Sequence, residues 1–410
     1  MISVFNQNRK GDIFMSLTNT PSGNRLHIGI FGKRNSGKSS LLNAITGQEI
    51  ALVSEVKGTT TDPVSKAIEI HPIGPCLLID TAGFDDTGDL GSMRIEKTKA
   101  VLDKTDIAVM VFTDMEMEPE AQWIAILKKR NIPMLAVVNQ VDRIEQAQEI
   151  KRQIEQRFSL IPLLVSAKEK TGITQIKNEI LRLMPPGFEA QSLTGSLVQP
   201  EDVVLLVMPQ DKQAPKGRLI LPQVQTIRDL LDNHCVVMCV TTEQLPTALQ
   251  ALAKPPKLII TDSQAFAQVY PLKPAGTLLT SFSVLLAAYK GDLSAFVKGA
   301  DALDSLTDDS HVLIAEACTH APLQEDIGRV KIPNMLRKKY GEHLQVTVVS
   351  GSQFPNDLSA YQLIIHCGAC MFNRKHVLTR VEQAEQQGVP ITNYGVAIAK
   401  LTGILDKISM

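Results

Sequence analysis

Two sets of residues in this chain have the types and spacing to do chemistry. The first is Cys318-Thr-His320, followed much later by His366-Cys367-Gly-Ala-Cys370. Thiolates and imidazoles at such short spacings can close on one metal ion or one iron–sulfur cluster. The second is Gly32-Lys-Arg-Asn-Ser-Gly37-Lys38-Ser39, which has the residues of a phosphate-binding loop. A nucleotide switch and a metal centre on one polypeptide narrow function more than either alone.

The nucleotide motifs occur in order. The loop follows an apolar run and opens a helical pattern, so its backbone N–H groups and the helix N-terminus would face phosphate. The expected GTP cradle is Gly32, Asn35, Ser36, Gly37, Lys38, Ser39 and Ser40. Lys38 would meet the β- and γ-phosphates and Ser39 would ligate Mg²⁺. Asp80-Thr-Ala-Gly83 would hold Mg²⁺ through Asp80 and sense the γ-phosphate through the Gly83 N–H. The run Gly58-Thr59-Thr60-Thr61 should supply a switch threonine, with Thr60 the favoured Mg²⁺ ligand and its neighbours the alternatives. Lys38, Thr60, Asp80 and Gly83 form the expected catalytic set. Asn139-Gln140-Val141-Asp142 matches a guanine-reading tetrad, where the Asp142 carboxylate can accept two N–H bonds from guanine. Gln140 stands where such tetrads usually carry lysine. Ser166-Ala167-Lys168 fits the loop behind the base. Phe84 follows Gly83 where many GTPases have a water-orienting glutamine, so slow intrinsic hydrolysis is expected.

For the metal set, chemistry alone leaves zinc, an iron–sulfur cluster and no metal all open. Three cysteines on a [4Fe–4S] cluster would leave one iron exchangeable. His320 and His366 are candidates for the fourth ligand or for positions behind the ligands, and Glu325 and Asp326 are further candidates. Cys76, Cys235 and Cys239 lie in strand-like runs and read as core residues.

The elements that must position these residues alternate βα throughout. Strands are expected at Leu26–Phe31, Cys76–Asp80, Ile107–Phe112, Met134–Asn139 and Ile161–Val165, with helices at Lys38–Thr46, Arg94–Lys104 and Glu120–Lys129. A second run of strands begins at Asp202–Met208 and continues at Cys235–Val240 and Lys257–Thr261. The last segment has strands at His311–Ala315, Gln345–Val349 and Tyr361–Ile365, and helical patterns that include Thr280–Tyr289. The fold class is α/β, in a three-domain chain. The expected boundaries are an extension at 1–24, a P-loop small-GTPase fold at 25–186 and a linker at 187–200. A small α/β dimerisation domain at 201–272 and an α/β cluster-binding domain at 273–410 complete the chain. Both cysteine groups follow strands of the last domain, where ligands of open α/β sheets collect.

Composition sets the outer limits. The chain has 410 residues, 44% hydrophobic, with 42 basic and 43 acidic side chains and a net charge of −1. That balance, with 4% aromatic residues, favours neither nucleic acid nor a membrane surface as partner. Six cysteines, no leader pattern and no long apolar run point to a reducing cytoplasm.

Asn35 together with Gly58-Thr-Thr resembles the potassium-dependent GTPases of tRNA modification and ribosome assembly, which implies K⁺ held at Asn35. Across nearly the whole chain the sequence resembles the HydF family, the GTPases of [FeFe]-hydrogenase maturation. The stretches that carry the resemblance are 19–32, 214–224, Glu316-Ala-Cys-Thr-His320, 326–333 and His366-Cys-Gly-Ala-Cys370. The resemblance implies a [4Fe–4S] cluster on Cys318, Cys367 and Cys370 with a labile fourth ligand. It also implies a homodimer, a transient diiron precursor bearing CO and CN⁻, two radical-SAM maturases as partners, and apo-[FeFe]-hydrogenase as recipient. Two other functions compete on the residues alone. One is a tRNA-modification or ribosome-assembly GTPase with a structural zinc domain, the other an electron-transfer enzyme.

Overall fold

The computed structural model describes residues 20–47, 64–81, 83, 98, 101–185, 188, 192–209, 219–317, 327–351 and 353–410. Three sheets organise them. The first runs β2-β3-β1-β4-β5-β6. Its strands are β1 (Leu26–Gly32), β2 (Val64–Ile70), β3 (Gly74–Asp80), β4 (Ile107–Phe112), β5 (Met134–Val138) and β6 (Leu163–Leu164). All pairings are parallel except β2 with β3. β1 and β4 are buried along their whole length, which explains their unbroken apolar character. Helix α1 (Lys38–Thr46) packs Leu41, Leu42 and Ile45 onto one face. Helices Glu118–Lys129 and Ala147–Phe158 cover the other.

The second sheet runs β10-β9-β7-β8, with β7 (Val203–Val207), β8 (Val236–Val240), β9 (Leu258–Thr261) and β10 (Leu278–Ser281), all parallel. β10 belongs to this sheet, so the second unit extends past residue 272. The stretch expected to be helical from Thr280 opens as strand. Ser281 ends β10 and then caps the helix Phe282–Lys290 by accepting from the Val284 N–H at 3.2 Å. Cys239, expected in the core, is exposed on edge strand β8, whereas Cys76 and Cys235 are buried.

The third sheet runs β12-β11-β13-β14, with β11 (His311–Glu316), β12 (Gln345–Ser350), β13 (Leu363–His366) and β14 (Ile391–Asn393), again parallel. From β11 the chain crosses first to β12 on one side and then to β13 on the other. The crevice between the ends of β11 and β13 is therefore the sheet's switch point. The second and third units share one apolar core: Leu205, Ile259 and Leu279 cluster with Phe296, Ile314 and Ile364. Among the described residues no helix is long and apolar enough to cross a membrane.

Candidate functional site

The nucleotide site sits at the carboxyl ends of β1 and β3. Gly37 has φ +81, and a Cβ there would lie 2.5 Å from Asn139 Nδ2, so only glycine fits. Lys38 Nζ donates to the carbonyls of Gly32 at 3.0 Å and Lys33 at 2.6 Å, which holds the loop curled. Ser36 Oγ also donates to the Lys33 carbonyl, at 2.9 Å. Ser40, half-buried, lies in the first turn of α1. Ser39 Oγ donates to Asp80 Oδ2 at 2.6 Å, while Asp80 Oδ1 is buried without a hydrogen-bond partner among the described residues. Burial raises the Asp80 pKa, against the pull of the Ser39 hydroxyl. A hydroxyl, a carboxylate and an orphaned acceptor oxygen suit Mg²⁺. Gly83 lies against the Arg34 backbone, which brings the two segments expected to meet phosphate together.

The residues expected to read the base interlock with the loop. Asn139 Nδ2 donates to the Ser36 carbonyl at 2.9 Å, and its Oδ1 accepts from the Ala167 N–H at 3.2 Å. Ser166 Oγ donates to Asp142 Oδ1 at 2.6 Å, and this bond, followed by the Arg143 and Lys168 charges, holds the exposed Asp142 carboxyl below its usual pKa. Asp142 is thus kept ionised, the state in which a carboxylate can accept two N–H bonds. Gln140 Nε2 donates to the Asn35 carbonyl at 2.9 Å, so the residue in the usual lysine position braces the phosphate loop. Asn35 itself takes φ +60. Thr60 lies outside the described residues.

The cysteine loop occupies the switch point of the third sheet. The Cys367 N–H donates to Ala315 O at 2.9 Å. Cys367 Sγ accepts from the backbone N–H of Ala317 at 3.0 Å and of Ala369 at 3.4 Å. Such N–H···S bonds favour a metal-bound thiolate. Burial pushes the Cys367 thiol up to about 11, so only a metal's charge would ionise it near neutrality. The turn to Cys370 is made by Ala369 at φ +50, not by Gly368. His366 is fully buried. Its Nε2 accepts from Arg380 at 3.0 Å, and its Nδ1 then donates to the Cys367 carbonyl at 2.8 Å. Both ring nitrogens are engaged, which places His366 behind the cysteines. Cys318, His320, Glu325 and Asp326 lie outside the described residues. Among those described, no three His, Cys, Asp or Glu side chains cluster as metal ligands.

The segment after the cysteine loop also docks on the GTPase domain, at the amino ends of its central strands β1 and β4, the end of the sheet opposite the nucleotide loop. Asn373 caps the helix Arg374–Gln386 through the His376 N–H. Its Nδ2 donates to Lys104 O at 2.9 Å and to Asp106 Oδ2 at 3.1 Å. Asp106 Oδ2 also accepts from the His27 N–H at 2.9 Å. Lys375 Nζ donates to Arg130 O at 3.0 Å. No sequence signal marks these residues, because their partners lie hundreds of positions away.

The junction should be acid-sensitive. Burial pushes His27 down to about 4 and His376 down to about 2, so both are neutral in the native protein. Unfolded histidine titrates near 6.5, so this stability is complete above that pH and declines below it. Each residue should cost about 2 kcal/mol between pH 7 and pH 5. Asp106, raised to about 6 chiefly by burial, works in the opposite sense as it protonates, by about 1 kcal/mol. A net loss of about 3 kcal/mol is expected, read as a lower denaturation midpoint at pH 5. An unchanged midpoint would contradict these assignments.

Fold and site define a P-loop GTPase carrying two further parallel α/β units. Residues 193–291 match the family model Hydrogen maturase F dimerization domain and 294–409 the model Hydrogen maturase F tetramerization domain, while 27–140 match 50S ribosome-binding GTPase. The chain belongs to the hydrogen maturase F (HydF) family. Its two named assembly domains support oligomerisation.

The GTPase portion is 34% identical to GTPase Der of Wolinella succinogenes, over 38% of this chain and 36% of that protein. It is 36% identical to the tRNA modification GTPase MnmE of Bordetella petrii, over 40% and 35% respectively. The chain thus spans about a third of the length of these curated relatives. A variant of Era from Aquifex aeolicus, bound to GDP and AlF4−, aligns with a TM-score of 0.36 at 19% identity, over 55% of this chain and 98% of that one.

Proposed function

We propose that this chain is a GTP-hydrolysing scaffold of [FeFe]-hydrogenase maturation. It holds a [4Fe–4S] cluster on Cys318, Cys367 and Cys370 with one iron open. It carries a diiron CO/CN⁻ precursor from two radical-SAM maturases to the apo-hydrogenase. The observation that carries this reading is the Cys367-x-x-Cys370 loop at a sheet switch point, where Cys367 Sγ accepts two backbone N–H groups. Anaerobic reconstitution with iron and sulfide should give a brown protein with about four Fe per chain. A colourless protein holding one tight zinc ion would sink the cluster assignment. Protein from cells co-expressing both maturases should activate apo-hydrogenase.

Hydrolysis is slow and K⁺-stimulated in this reading, with K⁺ at Asn35. Equal rates in K⁺ and Na⁺ would remove that assignment. Copies pair through β8, the edge of the second sheet, where Val236 is 57% exposed beside Leu231 at 54%. A lysine on an edge strand blocks such pairing. Val236→Lys should therefore shift the protein to a smaller assembly in light scattering, with an unaltered circular dichroism spectrum. An unchanged mass would exclude this edge.

A further inference from the structure

Two cations are buried against the cysteine loop. Arg380 grips its start and Lys290 its end. Lys290 is 1% exposed, and its Nζ donates to the carbonyls of Phe372 at 2.7 Å, Cys370 at 3.1 Å and Ala369 at 3.2 Å. Arg380 is 3% exposed, donates to His366 Nε2 and to Gly351 O at 2.6 Å, and lies 4.9 Å from the ring centroids of both Phe354 and Phe372. Its Nε has no hydrogen-bond partner among the described residues. Neither cation forms a carboxylate ion pair among the described residues. Asp103 acts on Arg380 only at a distance and is itself paired with Arg130.

A buried charge without a counter-charge costs several kcal/mol, and carbonyl dipoles or a neutral imidazole offset only part of that. Cys367 and Cys370, neutral as thiols, become anionic as metal-bound thiolates. A cluster held by thiolates carries net negative charge, which grows by one on reduction. The two cations therefore match the charge the loop acquires when loaded, not the charge it has when empty.

We propose that Arg380 and Lys290 are built-in counter-ions for an anionic iron–sulfur group on the Cys367–Cys370 loop, and that they set its reduction potential. Arg380 acts through His366 and Lys290 through the loop carbonyls, so both are positioning residues. The inference rests on the cluster reading above.

The test compares Arg380→Met, Lys290→Met and Arg380→Lys with the parent protein, each reconstituted anaerobically and titrated redox-wise by EPR. At the parent's midpoint each Met variant should show an about tenfold lower ratio of reduced to oxidised cluster, a shift of about 59 mV for one electron. Arg380→Lys, which keeps the charge, should stay near the parent. A Met variant that takes up no iron while Arg380→Lys does also supports the proposal. Met variants with four Fe and the parent's ratio would overturn it, as would an Arg380→Lys variant that behaves like Arg380→Met. A parent protein that takes up no iron–sulfur would instead remove the cluster reading itself.

Discussion

Lys38→Ala should lower GTP turnover at least about a hundredfold, because one preorganised cation or donor facing transferring charge is worth about 10²–10³ in rate. The structure shows why the effect is not only a lost contact with phosphate. Lys38 is buried and its Nζ already bridges the carbonyls of Gly32 and Lys33. Removing it takes this donor from the Gly32 carbonyl and leaves the Lys33 carbonyl to Ser36 alone, at about 1–3 kcal/mol, so the loop should also relax. Single-turnover hydrolysis with saturating GTP separates chemistry from binding. A rate within a few-fold of the parent would show that the loop does not hold the reacting phosphate. The substitution should leave iron uptake intact, since the cysteine loop lies across the sheet from the P-loop.

Gly23→Val should undock the GTPase domain from the cysteine-bearing domain. A Cβ at Gly23 would come 2.4 Å from Phe372 O and 2.6 Å from Lys290 Nζ. The carbonyl cannot step aside, because Lys290 holds it and Asn373 follows it into a capped helix. Relief requires the two domains to separate, breaking the Asn373 bonds to Lys104 and Asp106. Overpacking at a buried interface with lost hydrogen bonds should cost about 3 kcal/mol. Calorimetry should then split one unfolding transition into two, with the GTPase transition unchanged in its response to GTP. A single transition at the parent temperature would show that the docking seen here does not contribute to stability. If docking carries nucleotide state to the cysteines, GTP should alter the reactivity of Cys370 toward a thiol reagent in the parent and not in Gly23→Val.

Much of the fold was legible because each signal is local. β1 and β4 read as strands from continuous apolar runs, and α1 from the residues after the phosphate loop, matching Lys38–Thr46. β2 was missed because its pattern Val-Ser-Lys-Ala-Ile-Glu-Ile is an exposed edge strand, antiparallel to β3. β10 and β14 were missed because each is only a few residues long and takes its stability from neighbouring strands. In the short turn from Cys367 to Cys370 the left-handed residue is Ala369, which no composition rule would single out.

By itself the sequence determined the nucleotide motifs and the cysteine spacing, because both place ligands within a few residues on one loop. It also determined the βα order that sends those loops to strand ends. Only the tertiary structure decided that the second and third units share a core, and that Gln140 braces the phosphate loop. It placed His366 behind the cysteines with both nitrogens engaged. It also set two buried cations and the Asp106–Asn373 contact around the cysteine loop. These depend on side chains far apart in the chain, and their energetics arise from burial, which has no local sequence signature.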